Sequence, residues 1–384
     1  MPDSGQPTSR LGRFLRGVRV LDLSWFLPGP LASLMLADMG AEVIKVEPPA
    51  GDPMRGIGPR TEAGEGVFHA AVNAGKSVLR MDLKRADDHA AFLDLVRAAD
   101  VLIEGFRPGV MARLGLDWPT LRQVNTRLIY CSLSGYGTAG PLEQVAGHDN
   151  NYLAAAGVMH RNGEDLPQYL DPPIADGTGA LTAAMAILGA LHGRHGDGRG
   201  CHLDIGLADV VMPLQLFPIA AHGADGTVPQ PGETYLNGGA AYYNTYRCAD
   251  GRHVTLGAIE PKFWRTFCTE AGHPEWVERQ QEPLPQHALR ADVAAFLATL
   301  TRDEAAQRFG STDCCLSPVL DLGEALASPH HQARRLVRRS ADGALQALFP
   351  AWVDGLPPAT RMPVRDDETA NAAYRDAATT KEER

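Results

Sequence analysis

From Gly17 onward the chain alternates strand-like and helix-like segments, and this alternation constrains the fold more than any other feature of the sequence. "GVRVLDLS" is short, apolar and β-branched, "PLASLMLADMG" has helical character, and "AEVIKVEP" reads as strand again, together a βαβ unit. The pattern continues through strand "KSVLRMDL", amphipathic helix "ADDHAAFLDLVRAA" and strands "DVLIEGF" and "RLIYCSLSGYG". Parallel strands joined by helices predict an α/β fold with a Rossmann-like, doubly wound parallel sheet. The helix "GTGALTAAMAILGALHGRHG" and the strand "GCHLDIGL" carry this large domain from residue 17 to residue 206. Residues 1–16 read as a mobile N-terminal arm and the Gly- and Pro-rich residues 207–232 as a connector. Residues 233–312 read as a second, smaller α+β domain opened by a hairpin around "ADG", and 313–384 as a return segment ending in a polar tail.

A chain of 384 residues exceeds what one core usually supports, which agrees with two domains. A net charge of -10 disfavours a nucleic-acid partner, because phosphate neutralisation requires excess Lys and Arg. Six cysteines without CxxC spacing fit a reducing, cytoplasmic setting. The first residues, "MPDSGQPTSRLGRFLRG", lack the apolar core of an export signal. "ALTAAMAILGALHG" is too short to span a bilayer and is expected to be a buried helix, so no membrane partner is expected.

Open α/β sheets bind ligands at the carboxyl ends of their strands, and basic residues gather at such ends here. Lys45 lies in the second strand, Arg55 follows it in "EPPAGDPMR", and Arg107 follows the strand "DVLIEGF". Each alone is an ordinary surface charge, but together they suit a phosphorylated ligand. There is neither a GxGxxG after the first strand nor a GxxxxGK[ST] loop, so a dinucleotide or nucleoside triphosphate is not indicated. Asp176, in "PPIADGTGAL", is expected to cap a long helix, and its helix start offers backbone N–H groups to an oxyanion. In "VAGHDNNYLAAAG", Asp149 or Asn150 suits a helix cap, and His148 is either part of that capping loop or a base. Glu260, in "LGAIEPKF", ends a strand or equally serves as the N-terminal acid of a helix, so alone it says little. The adjacent His330 and His331, and Cys314 and Cys315, lack the spacing of metal ligands, so no metal site is expected, and no GxSxG elbow is present.

The collinear order of "GVRVLDLSWFLPGPLASLMLADMGAEVIKVEPP", "IEGFRPGVMARLGLD", "YCSLSGYGTAGP", "AGHDNNYLAAAG" and "ADGTGALTAAMAILGALHGRHGDGRG" resembles the class III coenzyme A transferase (CaiB/BaiF) family. The resemblance runs from about Gly17 to His330. It implies that Lys45, Arg55, Glu104, Arg107, Gly135 and Tyr136 bind the coenzyme A part of an acyl-CoA substrate, with no permanently bound cofactor. It also implies that Asp176 is either the nucleophile of a CoA-transferase or a proton-transferring group of an α-methylacyl-CoA racemase. His148 in "GHDNNYLA" and Glu260 in "GAIEPKF" are features of the racemase branch, as is "LNGGAAYYNTY". The resemblance thus points to racemisation of 2-methylacyl-CoA thioesters by His148 and Asp176 on opposite faces of the α-carbon. Glu260 orients the imidazole in that scheme, and backbone N–H groups after Asp176 hold the enolate. A CoA-transferase is the alternative reading and a non-catalytic acyl-CoA-binding protein a minor one. "ADGTGAL" departs from the "ADFxGGG" of the racemases, which implies a different pocket wall beside the α-carbon. The family also implies a homodimer of interlocked rings in which Glu260 serves the partner's site.

Overall fold

The structure, a computed structural model, describes residues 9–61, 64–163 and 166–366. The first eight residues of the expected arm and nearly all of the expected polar tail lie outside these. The chain divides into two compact units, the first made of Met1–Ala156, Leu170–Leu214 and Pro329–Arg384, the second of Gly157–Tyr169 and Gln215–Ser328.

In the first unit six strands form one wholly parallel sheet in the order β3-β2-β1-β4-β5-β6. They are β1 (Arg19–Asp22), β2 (Glu42–Glu47), β3 (Ser77–Arg80), β4 (Val101–Glu104), β5 (Ile129–Ser134) and β6 (His202–Gly206). The doubly wound reading therefore holds, and the order reverses between β1 and β4, where such sheets open a crevice for ligands. Because helices cover both faces, the inner strands are apolar throughout rather than alternating; Val20, Leu21, Ile44, Val101, Leu102, Ile103 and Ile129 are all buried. Residues 9–16 are not a free arm: Arg10–Arg13 form a 3-10 turn, Leu11 and Leu15 are buried, and the Leu15 amide donates to Met39 O. The apolar stretch expected to be a short buried helix belongs to a longer one, Ile174–Asp197, whose 24 residues are long and apolar enough to cross a membrane. Within this unit it packs on the helix Pro28–Asp38 and against β5 and β6 through small and aliphatic residues, including Ala180, Ala183, Ala184 and Ile187. Leu181 and Met185, on its other side, are exposed.

The second unit is the smaller α+β body. The "ADG" hairpin forms as expected, with β7 (Tyr243–Arg247) antiparallel to β8 (His253–Gly257). A third strand, β9 (Leu316–Pro318), pairs antiparallel with β8. Residues 313–328 therefore belong to this unit rather than to the return segment, which begins at Pro329. At the other boundary, residues 207–214 of the expected connector stay with the large unit. Trp264, Phe267, Trp276, Leu289, Val293 and Phe309 fill the core beneath the three strands. Trp264 stacks on Phe267 at 5.5 Å, and its indole N–H donates to Trp276 O.

Candidate active site

Beyond the ends of β1 and β2 the chain buries a layer of charges, and it claims two of the expected ligand-binding cations. Lys45 is fully buried; its ammonium donates to Ser24 O at 2.6 Å and lies 3.0 Å from Asp52 Oδ2, an ion pair without hydrogen-bond angles. Lys45 is thus a structural counter-charge rather than an exposed phosphate ligand. It lies on an inner strand of a sheet covered on both sides, so its stem follows the core. Arg55 forks onto Glu47 and also meets Asp366 at 2.9 Å, so most of its donors are engaged. Burial alone would raise the Glu47 carboxyl, but hydrogen bonds from His69 and Arg55 and the charges of Arg55 and Lys45 outweigh it and hold it at about 2. Glu47, Asp52 and His69 place three ligand atoms within 4.8 Å of one another. The nearby Lys45 and Arg55 already balance both carboxylates, which makes the group an ion-pair cluster. Beside it Lys76, also fully buried, donates to Asp22 Oδ2, Pro30 O, Ser33 Oγ and Asn73 Oδ1.

At the β4 end Glu104 is buried and accepts the Phe106 amide at 2.8 Å; burial, more than any other influence, raises its carboxyl. It therefore shapes the turn that presents Arg107, which is exposed and the cation of the expected set best placed to meet a ligand. Phe106 meets Trp25, from the end of β1, edge to face at 5.5 Å. The buried Trp25 indole N–H has no acceptor among the described residues and stands at the reversal of strand order. Sequence reasoning passed over Trp25; a tryptophan three residues past the first strand of such a sheet was the available signal. After β5, Gly135 is required by the close approach of Tyr152, since a Cβ there would lie 2.8 Å from the phenol. Tyr136 packs edge to face on Tyr152 at 5.3 Å. Tyr136 and Gly135 thus shape the wall that holds the Tyr152 ring.

His148 and Asp176 are brought together by two neighbouring helix starts. The helix Asp149–Ala155 begins one residue after His148, which is exposed and donates its backbone amide to Asn151 Oδ1 at 3.0 Å. Asp149, expected to cap this helix, is its first residue, and its Oδ1 instead accepts the Asp176 amide at 3.0 Å. Asp176 is likewise not a cap: the helix Ile174–Asp197 starts two residues earlier, behind Pro173. The amides expected to hold an enolate after Asp176 are committed, because Gly177 N–H donates to Pro173 O and Asp176 N–H to Asp149. The Asp176 carboxyl is pushed up to about 6, first by burial and then by the charge of Asp149, while His148 draws it down. Among the described residues nothing outside the helix's own backbone stands within 4 Å of a Cβ built on Gly177, so the departure from "ADFxGGG" leaves open space beside Asp176. Glu260 belongs to the second unit, where it is exposed and precedes the helix Pro261–Ala271. Its carbonyl accepts the amides of Phe263 and Trp264, and its carboxylate is left to solvent.

A half-buried carboxylate raised toward neutrality beside an exposed imidazole can exchange protons, and the exposed Arg107 guanidinium is the kind of cation that a phosphate accepts. The chain is 37% identical over 326 residues to the α-methylacyl-CoA racemase of Mus musculus, covering 84% of this chain and 81% of that one. It is 31% identical over 352 residues to the acetyl-CoA:oxalate CoA-transferase of Acetobacter aceti, covering 88% and 89% of the two chains. The crystal structure of a CaiB/BaiF family protein from Brucella suis superposes with a TM-score of 0.83 at 27% identity, over 95% of this chain and 99% of that one. The profile of CoA-transferase family III matches residues 15–367, and the chain belongs to that family of CoA-transferases and acyl-CoA racemases.

Proposed function

We propose that this enzyme racemises 2-methylacyl-CoA thioesters, with Asp176 and His148 as the two proton-transferring groups. The observation that carries the reading is the Asp176 carboxyl, held at about 6 beside His148. At pH 7 about one Asp176 in ten then carries a proton, so the residue is available both as base and as acid, which inversion in two directions demands. One group takes the α-proton as the C–H electron pair moves into the thioester to form an enolate. The other delivers a proton to the opposite face, and the ketone-like thioester re-forms. Desolvation of Asp176 also strengthens it as a base toward a weakly acidic carbon.

The phosphates of the substrate are assigned to Arg107, and the unpaired Trp25 N–H to an acceptor on its coenzyme A part. With the amides near Asp176 engaged, the enolate oxygen is assigned to no residue of this chain. A homodimer, and Glu260 as the group that orients the imidazole, are proposals resting on the family resemblance. A CoA-transferase is the second reading, favoured by the similarity to acetyl-CoA:oxalate CoA-transferase. In that chemistry Asp176 attacks the thioester carbonyl, expels CoA as thiolate and forms a mixed anhydride. Incubation with acyl-CoA and hydroxylamine separates the two, since the racemase expects no hydroxamate at Asp176 by mass spectrometry. A hydroxamate on Asp176 overturns the assignment.

A further inference from the structure

We propose that the smaller unit carries a second binding site, independent of the acyl-CoA site, for the dianion of a phosphate monoester. Between β7 and the helix His287–Leu297 lies an open cavity of about 340 Å³, within the size range of small-molecule sites. Three basic side chains line it: Arg247 from the strand and His287 and Arg290 from the helix. No carboxylate is among its lining residues, although the chain as a whole carries a net charge of -10. A local reversal of sign in a concave surface concentrates anions.

The positions of these residues follow from the local structure. β7 is the outer strand of the three-stranded sheet, so one of its edges is free of strand pairing, and the cavity takes up its consecutive residues Asn244 to Arg247. On the helix, His287, Arg290, Ala291 and Ala294 recur at the spacing of one face, and the two alanines leave space where larger side chains would fill it. The neighbouring acids are occupied elsewhere. Asp292 pairs with Arg279 at 2.6 Å, and Asp250 accepts the amides of Arg252 and Arg302. Neither Arg247 nor Arg290 forms an ion pair among the described residues, whereas Arg252, Arg279 and Arg302 of the same unit all do. Two guanidinium forks with an imidazole between strand and helix match the several acceptor oxygens of a phosphate monoester better than the two of a single carboxylate. The volume leaves room for a small organic group beyond the phosphate itself.

Titration calorimetry on the full-length protein tests this with inorganic phosphate, glucose 6-phosphate and succinate, each against sodium chloride of equal ionic strength. Both phosphates should bind, succinate should bind at least about tenfold more weakly, and Arg247→Gln plus Arg290→Gln together should weaken phosphate binding at least about tenfold. Arg107→Ala, which alters the acyl-CoA site, should leave this affinity unchanged, so failure of the proposal is distinguishable from failure of the racemase assignment. Binding of glucose 6-phosphate alone identifies an organic phosphate as the ligand and binding of both identifies the phosphate group as sufficient, and either supports the site. Ligand-free circular dichroism and melting temperature establish that the double variant is folded, and the exposed single change Arg247→Gln provides a second, milder reading. Absence of binding by both phosphates at millimolar concentration, equal binding by the arginine variants, or equal binding of succinate overturns the proposal.

Discussion

Replacing Asp149 by asparagine should retune the acid–base group 27 residues away without dismantling its helix start. The asparagine side chain keeps an oxygen that accepts the Asp176 amide, now made at 3.0 Å, but removes the negative charge that helps to raise the Asp176 carboxyl. Asp149 Oδ1 stands 3.0 Å from the Asp176 amide, and any two carboxylates about 6 Å apart across an effective dielectric of about 40 repel by about 1.4 kcal/mol. That energy equals about a tenfold change in acid dissociation, so Asp176 should fall from about 6 to about 5 in the variant. Burial, the larger cause, is untouched and keeps it above the ordinary aspartate value of 3.8. The assay is the pH profile of α-hydrogen exchange for the substrate enantiomer whose proton Asp176 removes, followed by mass spectrometry as kcat/KM between about pH 4.5 and 8. The acid limb should move down by about one pH unit, and exchange near pH 5 should rise relative to the plateau. A limb that stays in place, or moves upward, would refute the electrostatic coupling of Asp149 to Asp176.

Because the folded Asp176 binds its proton more tightly than the unfolded chain does, its contribution to stability is full below about 3.8 and is lost as pH rises through about 6. Asp176→Asn should therefore stabilise the fold at pH 8 by about 1–2 kcal/mol once partial exposure is discounted, read as a higher melting temperature, and change it little at pH 4, while stopping inversion and exchange from the face that Asp176 serves; a variant less stable at pH 8 contradicts this. Lys76→Met should cost about 3–5 kcal/mol in urea unfolding, since it strands the fully buried Asp22, whose carboxylate Lys76 neutralises. Arg107→Ala should weaken CoA binding about tenfold by calorimetry with an unchanged melting temperature, and equal affinity would remove Arg107 from the site.

The βαβ alternation and the "ADG" hairpin were legible because each rests on local periodicity and turn chemistry within a few residues. The order β3-β2-β1-β4-β5-β6 rests on pairings between distant segments, and single-strand patterns do not encode their neighbours. The same distinction separates what could and could not be read at the site. His148, Asp176 and Arg107 stand in motifs that can be seen in a line of text. The burial of Lys45 depends on Asp52 lying 3.0 Å away across a turn, and the engagement of Arg55 depends on Glu47 and Asp366. Asp149 reads as a cap because the Asp is followed by a helix, yet its partner is the amide of Asp176 on the next helix. That choice is made by helix packing, whereas the amide after Asp176 is taken up by its own helix start at Pro173 O. The boundary of the smaller unit was misplaced for a similar reason: Leu316–Pro318 is too short to read as a strand until it finds β8.

The central claim, proton transfer at the α-carbon by Asp176 and His148, is tested most directly by incubating each enantiomer of a 2-methylacyl-CoA in deuterated water without any acceptor acid. Inversion should proceed with one deuterium placed at the α-carbon of the inverted product. His148→Ala should stop inversion while exchange persists only from the face served by Asp176. Absence of α-deuterium, with CoA passing only when a second carboxylate is supplied, would contradict it.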